Sequence, residues 1–218
     1  MDTFKTGDES LTFFSDKYQE YYHSKTGALE EGFLKYAIPS KLSSVQKKEI
    51  SILDICFGVG YNSLAGIIEA LKNKNLEKIN ITAIELDPEI LEKIKNNTLK
   101  NPEYRLIREL FMEKEVKTCF QQKNFSLKLI NDDALIAVKK LEKTYDYVFL
   151  DPFSPKKCPE LWTEDFFKNI YEKMNSGGIL TTYSCARVVR ENLKNADFIV
   201  EDGPKVYRRG PSTIAKKP

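Results

Sequence analysis

Four acidic residues stand where short, largely apolar runs of the sequence end. Glu85, Asp132, Asp133 and Asp151 each follow such a run. If the runs are parallel strands, their carboxyl ends meet at one edge of a sheet, where ligands bind in such folds. A carboxylate at the tip of the second strand can accept two hydrogen bonds from a ribose diol, and Glu85 fits that role best. Asp132 or Asp133 can reach an adenine amino group, or can instead cap the next helix.

A pair of glycines follows the first apolar run. Asp54 lies within this run, and Gly58 and Gly60 open a stretch of helical spacing at residues 61–72. Glycine allows the backbone to turn sharply and to approach a ligand closely. The third glycine of the dinucleotide fingerprint is missing, which argues against a cofactor with a pyrophosphate. The loop therefore disfavours a dinucleotide cofactor, and a plain strand-to-helix turn stays open as the alternative.

The fourth apolar run ends in the sequence Asp151-Pro152-Phe153-Ser154-Pro155. Proline fixes its own φ angle and restricts the residue before it, so this loop is expected to be stiff. A group transfer requires that the nucleophile is held in place, and a rigid carboxylate can do this. We predict that Asp151 orients an attacking nucleophile beside a stiff wall built by Pro152 and Pro155. A purely structural turn is the alternative interpretation.

From residue 50 onward, apolar runs alternate with stretches of helical spacing, which predicts a parallel sheet covered by helices. Strands are predicted at residues 51–56, 79–86, 125–130, 145–150, 178–183, 198–201 and 212–215, and helices at 61–72, 88–96, 132–141, 163–174 and 186–194. A further helix is expected around 107–120. The predicted fold class is α/β with a doubly wound, mostly parallel sheet. We expect residues 1–49 to form an N-terminal extension, with a short hairpin and a helix near 27–37, packed on a domain at 50–218.

Composition and charge exclude several classes of protein. The chain of 218 residues has 34 Lys and Arg, 32 Asp and Glu and a net charge of +2, so a globally basic coat for nucleic acid is absent. Contacts to nucleic acid must therefore come from local clusters. The four cysteines do not lie at metal-ligand spacing with the single histidine, His23. No apolar run is long enough for a membrane helix. We expect free thiols, no metal, no membrane contact, and a monomer in the cytoplasm.

The loop at Asp151 continues into a longer motif. Asp151-Pro-Phe-Ser-Pro-Lys-Lys-Cys-Pro-Glu-Leu-Trp162-Thr163 resembles the D-x-F-x-P-x-x-x-P-x-x-W-(ST) signature of the MnmC-type tRNA methyltransferases. Further similarity lies at residues 6–12, 22–28, 54–62, 177–190 and 205–209, so that it covers nearly the whole chain apart from about 95–123. These enzymes make the methylaminomethyl group on the wobble uridine of certain tRNAs. The resemblance implies the fold of a class I S-adenosylmethionine methyltransferase.

The resemblance also implies roles for particular residues. Residues 54–62 are similar to the F-G-x-G-x-N cofactor loop of the family. By this similarity, S-adenosylmethionine is held by Asp54, Phe57, Gly58, Gly60, Asn62, Glu85, Asp132, Asp133 and Asp151. The methyl group would pass in line to the primary amine of 5-aminomethyluridine or its 2-thio form, with Asp151, Pro152 and Phe153 as catalytic residues. Many relatives carry a fused oxidase domain, and this chain is too short to contain one, so it resembles the stand-alone form.

A tRNA substrate implies contacts to the anticodon region near the same edge of the sheet. Tyr183 can stack on the uracil, as aromatic side chains do with exposed bases. Basic side chains expected to reach phosphates are Lys156, Lys157, Arg187, Arg190, Arg208 and Arg209. Any one of them can equally be a solvated surface charge, and Tyr183 and Phe153 can equally pack in the core. We expect Trp162, the only tryptophan, to anchor packing at the start of a helix.

Three other functions stay open at this point. A nucleotide-dependent oxidoreductase is disfavoured by the missing glycine. A non-catalytic module that binds nucleic acid would leave Glu85 and Asp133 without a purpose. A transferase for a small amine, such as a polyamine, is the main alternative, because polyamine-synthesis enzymes share the D-x-F and G-x-G loops on this fold. A cationic substrate would require several acids around the pocket, whereas the basic residues near Asp151 favour phosphate.

Overall fold

The computed structural model describes residues 1–97, 99–206 and 210–218. Strands β1 to β11 lie at Thr3–Lys5, Leu11–Ser15, Glu20–Tyr21, Glu49–Ile55, Lys78–Glu85, Glu115–Phe120, Lys123–Asn131, Tyr145–Leu150, Met174–Thr182, Ile199–Asp202 and Thr213–Lys216. Helices α1 to α7 lie at Ala28–Glu31, Tyr61–Leu71, Pro88–Lys95, Tyr104–Glu113, Ala134–Lys140, Glu164–Glu172 and Arg187–Asn195. A π-helix at Gly32–Ala37 continues α1, and 3₁₀ turns lie at Leu42–Ser44 and Pro159–Trp162.

The main sheet has the strand order β10-β11-β9-β8-β4-β5-β7-β6. The five strands from β9 to β7 in this order are parallel to one another. The flanking strands β6, β10 and β11 pair antiparallel. The chain runs from β4 outward to β5 and β7, and then returns to place β8 on the other side of β4. The sheet is therefore doubly wound and mostly parallel, as predicted, with its switch point between β4 and β8.

The central strands form because their side chains are apolar on both faces. Every residue of β8 is buried, and β4 is buried from Ile52 to Ile55. A parallel sheet of this kind needs helices on both faces. The helices of this chain cover these faces. Buried side chains form two hydrophobic clusters, of which one contains Ile52 and Phe149 and the other contains Leu53 and Val148. This packing fixes the carboxyl ends of β4 and β8 side by side.

The predicted strands and helices are found within a few residues of their expected bounds, with one error at residues 107–120. There α4 ends at Glu113, Lys114 adopts a positive φ of 62°, and residues 115–120 form β6. β6 pairs antiparallel with β7. Gln121 and Gln122 join the two strands with φ of 47° and 63°, the conformation that a two-residue hairpin favours. The alternation of exposed and partly buried residues in β6 is a strand pattern, not a helical one.

The N-terminal segment lies against the carboxyl end of the main sheet. β1, β2 and β3 form a small antiparallel sheet, and α1 follows, as expected for a hairpin and a helix in this region. The Tyr61 hydroxyl in α2 makes hydrogen bonds of 3.0 Å with both the backbone N–H and the carbonyl of Leu11. Tyr22 donates to Asp87, just beyond β5, at 2.8 Å. The division of the chain after residue 49 stays a prediction.

Candidate active site

A cavity of about 410 Å³ opens at the carboxyl ends of the central strands. Cys56 follows β4 in its wall, Glu85 ends β5, Asp132 follows β7, and Asp151 follows β8. Residues 18 and 20–24 of the N-terminal segment also line the cavity. The position is the switch point at which ligands bind in open α/β sheets, and the volume is typical of small-molecule and cofactor sites.

Glu85 is oriented by the loop that contains the glycines. It is 7% exposed, and its two carboxylate oxygens accept hydrogen bonds of 2.8 Å from the backbone N–H groups of Gly58 and Asp87. Burial raises the pKa of Glu85 to about 7, although these two hydrogen bonds oppose the rise. Each oxygen keeps a second lone pair for a ligand. The residue can thus accept further hydrogen bonds from a diol at the cavity wall.

Asp151 is held by two neutral donors. The Tyr36 hydroxyl donates to Oδ1 at 2.5 Å, and the Asn62 side-chain amide donates to Oδ2 at 2.8 Å. Its backbone N–H donates to the carbonyl of Ile55 at 3.1 Å and continues the pairing of β8 with β4. Burial is the largest cause that raises the pKa of Asp151, while the two donors lower it. These contacts fix the carboxylate in position and orientation.

The glycines of the loop have different structural roles. Gly58 has a φ of 57°, and a Cβ atom there would lie 3.6 Å from the Tyr22 ring and 4.0 Å from His23. Gly60 has a φ of 83°, and a Cβ atom there would lie 2.7 Å from both Phe57 and Ile107. Gly58 therefore faces cavity residues, whereas Gly60 is required for close packing beneath the loop.

Asp54 and Phe57, predicted to touch the cofactor, are not among the residues that line the cavity. Phe57 is buried in the core, where it packs against Gly60. Asp54 is fully buried in β4, and its Oδ2 atom accepts a hydrogen bond of 2.6 Å from the Ser63 hydroxyl. Its Oδ1 atom has no hydrogen-bond partner in the described part of the chain, and burial raises the pKa of Asp54 to about 8. Both residues pack beneath the loop. Their positions therefore do not provide a direct contact with a ligand.

The two aspartates after β7 are distinguished by the structure. Asp133 is the N-cap of α5 and accepts a hydrogen bond of 2.8 Å from the backbone N–H of Leu135. Asp132 pairs with Lys140 at 3.2 Å near the surface. Both aspartates line the cavity. The capping role is thus filled by Asp133, and an adenine contact stays a prediction for either residue.

Aromatic side chains from the N-terminal segment cover the Asp151 loop. Phe153 stacks on Tyr18 with a centroid distance of 4.4 Å and meets Tyr22 edge-on at 4.8 Å. Tyr183 also lines the cavity and meets Trp162 edge-on at 5.8 Å. Trp162 is 2% exposed, and its indole N–H donates to the carbonyl of Phe153 at 2.9 Å. Trp162 is therefore a packing anchor, as predicted, and Phe153 and Pro152 form part of the cavity wall.

Several cavity residues were not predicted from the sequence, and most come from the N-terminal segment. Glu20 binds the Asp151 loop, because its carboxylate accepts hydrogen bonds from the Ser154 backbone at 3.0 Å and from the Ser154 hydroxyl at 2.5 Å. Glu31 and Lys35 form an ion pair at the cavity. The available signal was the crowding of aromatic residues in a segment without periodicity, a composition that is unusual for an exposed tail.

The predicted phosphate contacts lie outside the cavity lining. Lys156 and Lys157 are exposed on the Asp151 loop. Arg187 is 91% exposed and pairs with Glu191, and Arg190 pairs with Asp202. The predicted pair of Arg208 and Arg209 falls outside the described residues. The lining itself is acidic, and its carboxylates are Glu20, Glu31, Glu85, Asp132, Asp133, Asp151 and Glu160. Within the described part of the chain, Lys35 is the only Lys or Arg in the lining, and Glu31 neutralises its charge.

Residues 97–218, more than half of the chain, match a protein family described as S-adenosyl-L-methionine-dependent methyltransferase. The chain belongs to this family. A crystal structure of MNMC2 from Aquifex aeolicus is similar over the whole chain and 71% of that protein, with a TM-score of 0.80 and 32% identity. These findings confirm the resemblance to MnmC methyltransferases and the fold class.

The methyltransferase also resembles longer proteins. It is 34% identical to the uncharacterized protein MJ0670 of Methanocaldococcus jannaschii, over 98% of this chain and 58% of that protein. It is 28% identical to the tRNA 5-methylaminomethyl-2-thiouridine biosynthesis bifunctional protein MnmC of Leptospira borgpetersenii, over 89% of this chain and 32% of that protein. The chain thus spans just over half of the first relative and about a third of the second. Across the residues described, no helix has both the length and the apolar character needed to cross a membrane.

Proposed function

We propose that this methyltransferase converts the primary amine of 5-aminomethyluridine, or of its 2-thio form, at the tRNA wobble position into a methylamine. The single observation that carries the proposal is the fixed Asp151 carboxylate, which faces the same cavity as the ribose-type acid Glu85. The name of the MnmC relative refers to 5-methylaminomethyl-2-thiouridine, the thio form of the proposed product, and the similarity to that protein covers 89% of the chain. We further propose that residues 1–49 extend a methyltransferase domain at 50–218, because they supply one wall of this cavity.

The residues of the cavity fit S-adenosylmethionine. The buried Glu85 carboxylate has lone pairs left for a ribose diol, and Asp132 or Asp133, which line the same cavity, would accept a hydrogen bond from an adenine amino group. Gly58 leaves the loop open toward Tyr22 and His23. When bound, the cofactor supplies a methyl group that a sulfonium has already activated. The protein then needs no covalent nucleophile of its own.

The residues around Asp151 would orient the amine and exclude water. Each Asp151 oxygen has accepted one hydrogen bond and can accept another from the amine. Pro152 and the Phe153 ring, which Tyr18 and Tyr22 support, make an apolar wall beside it. Alignment in a dry pocket can supply much of the rate enhancement of a transfer between two bound groups. Tyr183 would contact the base, and the exposed Lys156 and Lys157 would contact phosphates.

The test is methyl transfer to defined tRNA. Undermodified tRNA that carries the aminomethyl group is incubated with the protein and labelled S-adenosylmethionine, and its nucleosides are analysed by mass spectrometry. We expect label in 5-methylaminomethyl(-2-thio)uridine, and none with tRNA that lacks the aminomethyl group. Calorimetry with S-adenosylmethionine serves as the control for cofactor binding. Binding of the cofactor without any transfer to aminomethylated tRNA would contradict the proposed substrate.

A small cationic amine is the second candidate substrate. The acidic lining of the cavity favours a cation, and within the described ranges the only Lys or Arg in the lining is Lys35, whose charge Glu31 compensates. Spermidine synthase of Thermotoga maritima shares the fold, with a TM-score of 0.59 and 16% identity. Spermidine and related amines are therefore offered in the same assay as competitors. Faster transfer to the free amine than to tRNA would favour this alternative.

A further inference from the structure

His23, the only histidine of the chain, lies at the cavity with an unused ring nitrogen. Its Nδ1 atom is buried and has no hydrogen-bond partner among the residues that the structure describes. Its backbone is fixed, because the His23 N–H donates to the Thr12 hydroxyl at 3.0 Å and the same hydroxyl donates to the His23 carbonyl at 3.2 Å. The ring packs against Tyr61, with 5.2 Å between centroids. The fold therefore holds the imidazole in place without a hydrogen bond from the described residues to its Nδ1 atom.

A buried polar atom without a partner is an exception in folded proteins and calls for an explanation. His23 lines the cavity that also contains Asp151, and its Cε1 atom lies 4.0 Å from the position of a Cβ atom on Gly58. It thus approaches the cofactor-type loop and shares the cavity with the carboxylate that we assign to the amine. A ring nitrogen at this point is within the site where a proton has to leave the substrate.

The substrate amine has to lose a proton before it can attack. A free alkylammonium has a pKa of about 10, similar to lysine, so it is charged at neutral pH. Asp151 already accepts two hydrogen bonds, and both its donors are neutral groups. A neutral imidazole has a free lone pair and can take the proton, while the Asp151 carboxylate keeps the charge that orients the amine.

The surroundings of His23 keep the imidazole neutral. Burial is the largest effect and lowers the pKa of His23 below 6.5, and the positive charge of Lys35 acts in the same direction. The carboxylates of Asp151, Glu31 and Asp8 oppose this and raise the pKa. The net direction is downward, so the ring is uncharged at neutral pH. The three carboxylates would stabilise the imidazolium once a proton arrives.

We propose that the His23 imidazole accepts the proton of the substrate ammonium, an inference that rests on the proposed amine substrate. An N–H bond of the ammonium breaks as an N–H bond forms on the imidazole. The freed lone pair of the amine then forms the bond to the methyl carbon, while the carbon–sulfur bond breaks and its electrons stay on sulfur. The product is a secondary ammonium, and the imidazolium returns its proton to solvent.

The charge of His23 can be measured without turnover. Because the chain has one histidine, nuclear magnetic resonance of the full-length protein gives a single imidazole Cε1–H signal, which is followed as pH is varied. We expect a midpoint below the ordinary value of about 6.5. A ring that is already protonated at pH 7 cannot accept a proton, and this result would overturn the proposal whatever the substrate is.

The decisive experiment compares pH profiles of single-turnover methyl transfer to aminomethylated tRNA. Wild type should be nearly independent of pH from about 7 to 9, since His23 removes the proton. His23→Phe should be about 100-fold slower at pH 7 and should gain roughly tenfold per pH unit, as the amine deprotonates by itself. If His23→Phe fails to fold, the smaller and polar His23→Asn replaces it.

Tyr61→Phe is the matched control, because it perturbs the residue that packs on the imidazole and keeps the imidazole itself. It should change the rate by the same factor at every pH. Parallel profiles for wild type and His23→Phe would overturn the role of His23 and leave the proposed function intact. Absence of transfer by wild type would instead contradict the proposed substrate.

Discussion

Asp151 shows how a carboxylate can be fixed inside a protein without a cationic partner. Its two donors, Tyr36 and Asn62, lie 115 and 89 residues away along the chain. Hydrogen bonds to an ionised acceptor are stronger than those between neutral groups, so two suffice to hold the side chain. The absence of a salt bridge at Asp151 among the described residues leaves its charge available to a substrate cation.

Replacement of Asp151 by Asn tests this role. Asp151→Asn preserves the size of the side chain and removes the charge that would orient the amine. We expect single-turnover transfer to fall at least about 100-fold. Affinity for S-adenosylmethionine, measured by calorimetry, should stay nearly unchanged, because Glu85 holds the other end of the site. Tyr36→Phe, which removes one donor and keeps the charge, should lose less activity. Equal turnover by Asp151→Asn and wild type would refute the assignment.

Asp54 predicts a pH-dependent stability. Its pKa rises from an ordinary 3.8 to about 8, so the folded protein keeps a proton that the unfolded chain releases. This contribution to stability is complete below pH 3.8 and is lost as pH rises toward about 8. Asp54→Asn has no such proton to lose. We therefore expect the free energy of unfolding of the variant, relative to wild type, to improve by about 1 kcal/mol or more from pH 5 to pH 8.

Urea unfolding at the two pH values measures this difference. Ser63→Ala is the matched control, because it removes the hydroxyl that donates to Asp54 and keeps the carboxyl group. It should retain the pH dependence of wild type. If Asp54→Asn and wild type lose stability in parallel, burial does not hold a proton on Asp54.

At the scale of elements, the sequence predicts the central sheet well and its surroundings poorly. β4 and β8 are recognisable because both faces of each strand are apolar, and this also predicts where Glu85 and Asp151 meet. The π-helix at Gly32–Ala37, which positions Tyr36, has no such periodicity. Its geometry depends on packing against α2, a long-range interaction that a local pattern cannot reveal. The error at β6 has a different cause, because its alternating pattern is local and its pairing with β7 fixes it as a strand.

Gly32 permits the close approach of the π-helix to α2. A Cβ atom at Gly32 would lie 3.0 Å from the carbonyl oxygen of Tyr61 and 3.3 Å from the Asn62 side-chain oxygen. Gly32→Ala must therefore push the two elements apart and separate Tyr36 and Asn62, the two donors of Asp151. We expect a loss of about 1–3 kcal/mol in stability, together with a clear loss of turnover. Thermal unfolding and single-turnover assays measure the two effects.

Gly177→Ala is the matched control for this substitution. Gly177 lies in β9 at a positive φ of 76°, and a Cβ atom there would have no neighbour within 4 Å. The control should therefore lose stability through backbone strain, by about 1 kcal/mol, and keep wild-type turnover in the folded state. Unchanged activity of Gly32→Ala would show that the spacing of the two elements does not control the Asp151 site.

At the scale of the whole molecule, the acidic lining of the cavity is separate from the basic residues at its rim. The cavity is lined by carboxylates, while Lys156 and Lys157 are exposed on the loop at its rim. An RNA substrate could place its amine in the acidic cavity and keep its phosphates outside, where lysines neutralise them. A small free amine would need only the cavity. The basic rim therefore distinguishes the two candidate substrates.

Reversal of the charge at this rim is the corresponding prediction. The double substitution Lys156→Glu and Lys157→Glu should weaken tRNA binding about tenfold or more. It should also make the plot of log binding constant against log salt concentration less steep by up to two phosphate contacts, because each contact contributes a slope of about 0.7–0.9. Affinity for S-adenosylmethionine should not change. Lys74→Glu with Lys143→Glu, exposed in loops before β5 and β8 at the opposite end of the sheet, is the matched control. Equal losses of tRNA affinity in both double variants would indicate nonspecific attraction and contradict a footprint at the cavity rim.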